Sequence, residues 1–87
     1  MSNTTWEIAW SIIRDRGSYF ESDTKYEITI RHKKNRQIFK TFWRSEYAST
    51  SGEYNSGAKD FKFLEDGKTL LVNYENGKKE TFELPLT

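Results

Sequence analysis

The stretch TTWEIAWSIIRDRG, residues 4–17, decides the fold, because it carries two of the three tryptophans and three isoleucines in a row of fourteen residues. At about 100° per residue, Ile8, Ile12, Ala9, Ile13, Trp6 and Trp10 cover a continuous apolar arc of about 200°. Glu7, Ser11, Arg14 and Asp15 fill the remaining side. Thr4 is placed to cap the first turn, and Glu7, three positions on, completes a capping box. Gly17 is placed to end the element in a left-handed conformation. The spacing therefore predicts a helix over residues 4–16, and an arc that wide suits a helix lying across a sheet.

Beyond a polar link, Ser18 to Thr24, the segment KYEITIRHKKNRQIFKTFWRS alternates with period two and predicts a hairpin. An even loop centred on Lys34-Asn35 pairs His32 with Gln37, Ile30 with Phe39, Ile28 with Thr41 and Tyr26 with Trp43. That register gathers Tyr26, Ile28, Ile30, Phe39 and Trp43 on one face, whereas an odd loop would pair Ile30 with Lys40 and mix the faces. The opposite face then carries Arg31, Lys33, Arg36, Ile38, Lys40, Phe42 and Arg44. Residues 45–58 are rich in Ser, Gly and Thr and read as a long loop, part of which can extend the strand before it.

The remainder reads as a meander. Asp66-Gly67 pairs Phe63 with Leu70 and Phe61 with Val72. At Asn76-Gly77 a three-residue loop with a glycine bulge pairs Leu70 with Phe82 and Tyr74 with Lys78, and keeps Phe82 and Leu84 in the core. Pro85 ends the last strand. The predicted class is α+β: residues 1–87 form one small domain, a helix packed on a curled antiparallel sheet of about five strands.

Composition bounds the function. A chain of 87 residues is one domain with a small core, in which fourteen aromatic rings supply most of the burial. There is no cysteine, so disulfides and thiolate metal sites are excluded. The opening residues lack a basic segment and a long apolar run, so no secretory signal is expected, and no apolar run reaches the length of a membrane span. These features fit a cytoplasmic protein. The net charge of +1 hides a strong asymmetry: residues 1–30 carry −2, residues 31–44 carry +6 with no acid, and residues 45–87 carry −3. Such asymmetry speaks to partners more than to fold.

No catalytic or metal signature stands out. His32 is the single histidine, and no second acid or base is spaced to work with it. A ribonuclease built on His32 is the remote alternative. Carboxylates are scattered, glycines stand singly at turns, and no cofactor is expected. The candidate surface is the hairpin, with Arg31, Lys33, Lys34, Arg36, Ile38, Lys40, Phe42 and Arg44 as contact residues. Cations beside an aromatic ring fit phosphates and unpaired bases. Against that, the isoelectric point near 7.9 lies below that of a committed nucleic-acid binder. An acidic protein partner fits better: charge steers the encounter and Ile38 and Phe42 supply contact energy. The expectation is a non-enzymatic binding protein of the regulatory or inhibitory kind, with nucleic-acid binding as the alternative. An exposed final strand offers a route to a homodimer.

Overall fold

The decisive stretch is a strand. The computed structural model describes residues 3–85, and among them there are six strands and no helix. They are β1 (Trp6–Gly17), β2 (Glu21–His32), β3 (Ile38–Ser49), β4 (Gly52–Phe63), β5 (Thr69–Tyr74) and β6 (Lys79–Glu83). They form one antiparallel meander in the order β1-β2-β3-β4-β5-β6, so the expected helix-plus-sheet class is replaced by an all-β one.

The reason lies in the residues that suggested the helix. Trp6, Ile8, Trp10 and Ile12 occupy every second position, so the same side chains that cover a helical arc also line one face of a strand. β-Branched and aromatic residues favour the pleated surface over the helix. The capping pattern resolves differently too. Asn3, not Thr4, is the residue that binds backbone: its Oδ1 accepts the N–H groups of Thr5 (2.8 Å) and Trp6 (3.0 Å). Its Nδ2 donates to the Gly67 carbonyl (3.0 Å), which ties the start of β1 to the β4–β5 loop.

The β2–β3 hairpin keeps its expected loop and loses its expected register. His32 N–H donates to Gln37 O (2.8 Å), as an even loop requires. One step beyond, Arg31 faces Ile38, but Ile30 faces Lys40, so Phe39 is an inserted bulge residue. From there the pairs are Ile28–Phe42 and Tyr26–Arg44, and each β3 side chain stands on the face opposite to the one expected. Residues 45–58 are no long loop: their first part does extend the strand before it, with β3 running to Ser49, and β4 begins at Gly52. Ser49 pairs with Gly52 around Thr50-Ser51, and the ladder continues through Tyr47–Tyr54 to Arg44–Gly57.

The last two hairpins have the registers that their turns dictate. Phe63 pairs with Leu70, Phe61 with Val72 and Leu70 with Phe82. Tyr74 N–H donates to Lys78 O (2.9 Å). Asp66 organises the first turn by accepting the N–H groups of Lys68 and Thr69, each at 3.0 Å.

Strand β4 belongs to both halves of the molecule. Its first part, to Gly57, pairs with β3, and its second part, from Ala58, pairs with β5. At the change, Gly57 has φ +86° and a bulge follows between Ala58 and Asp60. The strand bends there and carries β5 and β6 across the face of the long strands. Ring contacts Trp10–Phe61 (5.9 Å), Phe42–Phe61 (5.3 Å) and Phe42–Phe82 (5.4 Å) join the two layers. Ile28, Ile30, Leu70 and Val72 are wholly buried between them.

Strands of twelve residues span about 40 Å, in keeping with the 47 Å long axis. The five- and six-residue strands cover only one end. No residue from 9 to 27 or from 43 to 57 is buried. The far half of the sheet is thus a single layer, wet on both faces.

Candidate functional site

The basic hairpin is built around its histidine. The His32 ring is buried, edge-on to Trp6 at 5.3 Å. Its Nδ1 accepts backbone N–H groups from Lys34 (3.1 Å) and Asn35 (3.4 Å), so the ring serves as a loop organiser. Arg36 closes the loop in the left-handed region, with φ 64°, and its N–H donates to His32 O (3.0 Å).

The eight hairpin residues do not share one surface. Arg31 and Arg36 both engage Glu7 on β1, the latter at 2.9 Å. The hydrogen bond from Arg31, with the nearby charges of Arg31, Arg36 and Lys33, holds the Glu7 carboxyl below the usual range. Lys33, Lys34 and Ile38 are exposed around the loop. Beyond the bulge the side chains turn inward. Lys40 lies 4.9 Å over the Phe82 ring, and Phe42 is a core residue. The side chain of Arg44 is only 11% exposed. It donates to Glu46 (2.8 Å) and to the Ala58 carbonyl (3.0 Å), with Glu75 at 3.5 Å. Burial works against its charge, and the hydrogen bond to Glu46 with the charges of Glu46 and Glu75 outweighs it, raising its pKa. Four of the eight residues are therefore committed within the fold: Arg31 and Arg36 to Glu7, Phe42 to the core and Arg44 to its acids.

A second surface, which the helical reading concealed, lies along β1. Among the described residues this strand pairs with β2 alone and forms one border of the sheet. Of the eight large apolar side chains that stand exposed among the described residues, Trp10, Ile12, Ile13, Tyr19 and Phe20 lie on β1 or its turn into β2. Tyr19, at 94%, is almost wholly in solvent.

The free backbone groups of this border can be phased. Lys33 N–H donates to Thr5 O (2.9 Å). In an antiparallel ladder, residues that bond a given neighbour alternate with residues that do not. Glu7, Ala9 and Ser11, opposite Arg31, Thr29 and Glu27, therefore bond β2. The N–H and C=O groups of Ile8, Trp10 and Ile12 point away from the sheet. The row is bounded on one side by Trp6, whose N–H is taken by Asn3. On the other side the bulge between Ile12 and Arg14 ends it. The sequence signal for this border was the period-two placement of Trp6, Ile8, Trp10 and Ile12.

The opposite border, β6, has the sequence KETFE, with four polar side chains in five residues. Charges of that kind blunt an edge. From Trp6 to Ile13, β1 has one charged residue, Glu7.

Among the described residues no three His, Asp or Glu side chains group as a metal site would need. Comparison with protein-family models, with curated proteins and with solved structures gives no match for this chain.

Proposed function

We propose that this protein is a non-enzymatic binding protein that takes an extended segment of a protein partner onto β1 as an added strand. The observation that carries the reading is the coincidence, on one border, of free backbone groups at Ile8, Trp10 and Ile12 with exposed apolar side chains on the same strand. In strand addition the backbone bonds give affinity and the alternate side chains give specificity. Trp10 is the anchor, since its ring already rests on Tyr26 (5.8 Å) and Phe61 (5.9 Å) and needs little ordering when covered. Lys33 and Lys34, which have no ion pair among the described residues, stand by the start of β1 and favour an acidic group on the partner there. With Arg31, Arg36 and Arg44 bound to acids, the hairpin keeps only Lys33, Lys34 and Lys40 of its six cations for a phosphate backbone, which favours protein over nucleic acid.

The test is affinity capture with the wild type, with Ile12→Pro and with Lys33→Glu/Lys34→Glu. The Ile12 N–H faces away from β2, so proline removes a donor for the added strand and none from the fold. The expected result is a protein captured by the wild type, weakened by the lysine changes and lost with Ile12→Pro. Capture indifferent to Ile12→Pro, or no captured protein together with no self-association, overturns the reading. Nucleic acid bound with a steep salt dependence would replace it.

A further inference from the structure

Resting on strand addition at β1, we infer that the added strand is β1 of a second copy, paired antiparallel about a two-fold axis through Trp10. The free row has three members, Ile8, Trp10 and Ile12, and Trp10 is its midpoint. Antiparallel pairing about that midpoint sets Trp10 against Trp10 and Ile8 against Ile12 of the second copy. Each of these pairs exchanges two backbone bonds, about six in all. Ala9 then faces Ser11 of the second copy on the outer face, small side chain against small.

The ends of the row match as well. The bulge at Ile13 shifts the following residues by one position. Glu7 therefore meets Arg14 of the second copy, and Asp15 of that copy reaches the end of β1 where Lys33 and Lys34 stand. Glu7 already draws Arg31 and Arg36, and Arg14 already meets Asp23 at 3.0 Å. The new pair thus joins two existing networks of alternating charge. A symmetric contact of this kind is self-complementary by construction. It joins two meanders into one continuous sheet and leaves the blunted β6 borders outermost.

The absence of cysteine makes the register directly testable. Sedimentation equilibrium from about 1 µM to about 1 mM covers the range of a contact smaller than a standard interface. The expected result is a monomer–dimer equilibrium in which Ile12→Pro raises the dissociation constant at least about tenfold. The second measurement is oxidative cross-linking of single-cysteine variants. Ala9→Cys mixed with Ser11→Cys should yield a mixed disulfide dimer, because facing non-bonded pairs have Cα atoms about 4.5 Å apart. Neither variant should cross-link efficiently by itself. A monomer throughout the range, or self-cross-linking of Ser11→Cys in preference to the mixed pair, overturns the inference. If the protein is monomeric and Ile12→Pro still abolishes capture, the second copy fails while strand addition stands. If capture ignores Ile12→Pro, both fail.

Discussion

Replacing Gly57 by alanine tests the bend on which the two-layer arrangement depends. Gly57 has φ +86°, and a methyl group built there would lie 2.3 Å from the Trp43 carbonyl oxygen and 3.2 Å from the Arg44 Cα. Both neighbours are backbone of the paired strand, so neither can rotate away. The left-handed conformation alone costs a residue with a Cβ about 1–2 kcal/mol, and relieving the overlap adds about 1–3 kcal/mol, as overpacking does elsewhere. The expected destabilisation is about 2–5 kcal/mol, a large part of the roughly 4–13 kcal/mol available to a domain of this size. Two controls separate the contributions. Gly67 also has positive φ, 74°, but open space around it, so Gly67→Ala should lose only about 1–2 kcal/mol. Gly17 has neither restriction, and Gly17→Ala should lie within about 0.5 kcal/mol of the wild type. Urea unfolding followed by tryptophan fluorescence measures all three. If Gly57→Ala falls no further than Gly67→Ala, the close approach of β4 to Trp43 is not what shapes the bend.

Phe42→Ala should cost about 3–5 kcal/mol, since its ring is buried between Phe61 and Phe82. Ile38→Ala, four residues away and exposed, should cost under about 0.5 kcal/mol; thermal unfolding checks both. His32→Ala removes the acceptor for two loop N–H groups and should cost about 1–3 kcal/mol, with faster hydrogen exchange at Lys34 as its local signature. The carboxyls of Glu7 and Asp66 are held low, Glu7 first by Arg31 and Asp66 first by the Thr69 hydroxyl. Their contribution is present above the unfolded values near pH 4 and is lost as pH falls through the lower folded ones, so acid unfolding should be shallower at its onset in Glu7→Gln. Burial, with the hydrogen bond to Glu80, pushes the Tyr74 hydroxyl up to about 12. The unfolded phenol ionises near pH 10, so this stabilisation is present below that pH and is lost between about pH 10 and 12. Tyr74→Phe should remove that loss in a titration followed by circular dichroism.

Local turn chemistry was legible, and the pairing that depends on long-range packing was not. Asp66-Gly67 and Asn76-Gly77 fix the last two hairpins because the residues at the turn also set the register. The bulge at Phe39 left no such mark. His32–Gln37 was correctly implied by an even loop, but nothing in the side chains announces an extra residue two steps further on. That one insertion moved Phe42 and Arg44 from the expected outer face to the inner one and dissolved the basic face. The β3–β4 hairpin was hidden for a different reason. In a single layer wet on both faces, Ser45, Ser49 and Ser56 serve as well as apolar residues, so the alternation that marks a half-buried strand is missing.

The misreading of β1 and the character of the border have one cause. A strand covered by a second layer along its whole length would bury one face, and its other face would be polar. The short β5 and β6 reach only the near half of the sheet, so Trp6 is buried while Trp10, at 47% exposure, and Ile12, at 59%, are progressively uncovered along the same face. An apolar row that the fold itself does not finish covering is what gives residues 6–13 enough tryptophan and isoleucine to imitate a helix. It also leaves those residues in solvent beside unpaired backbone groups, a combination that isolated sheets avoid by adding charge or proline at the edge. From Ile8 to Ile13 this edge has neither. Its apolar side chains are those that the proposed added strand would flank.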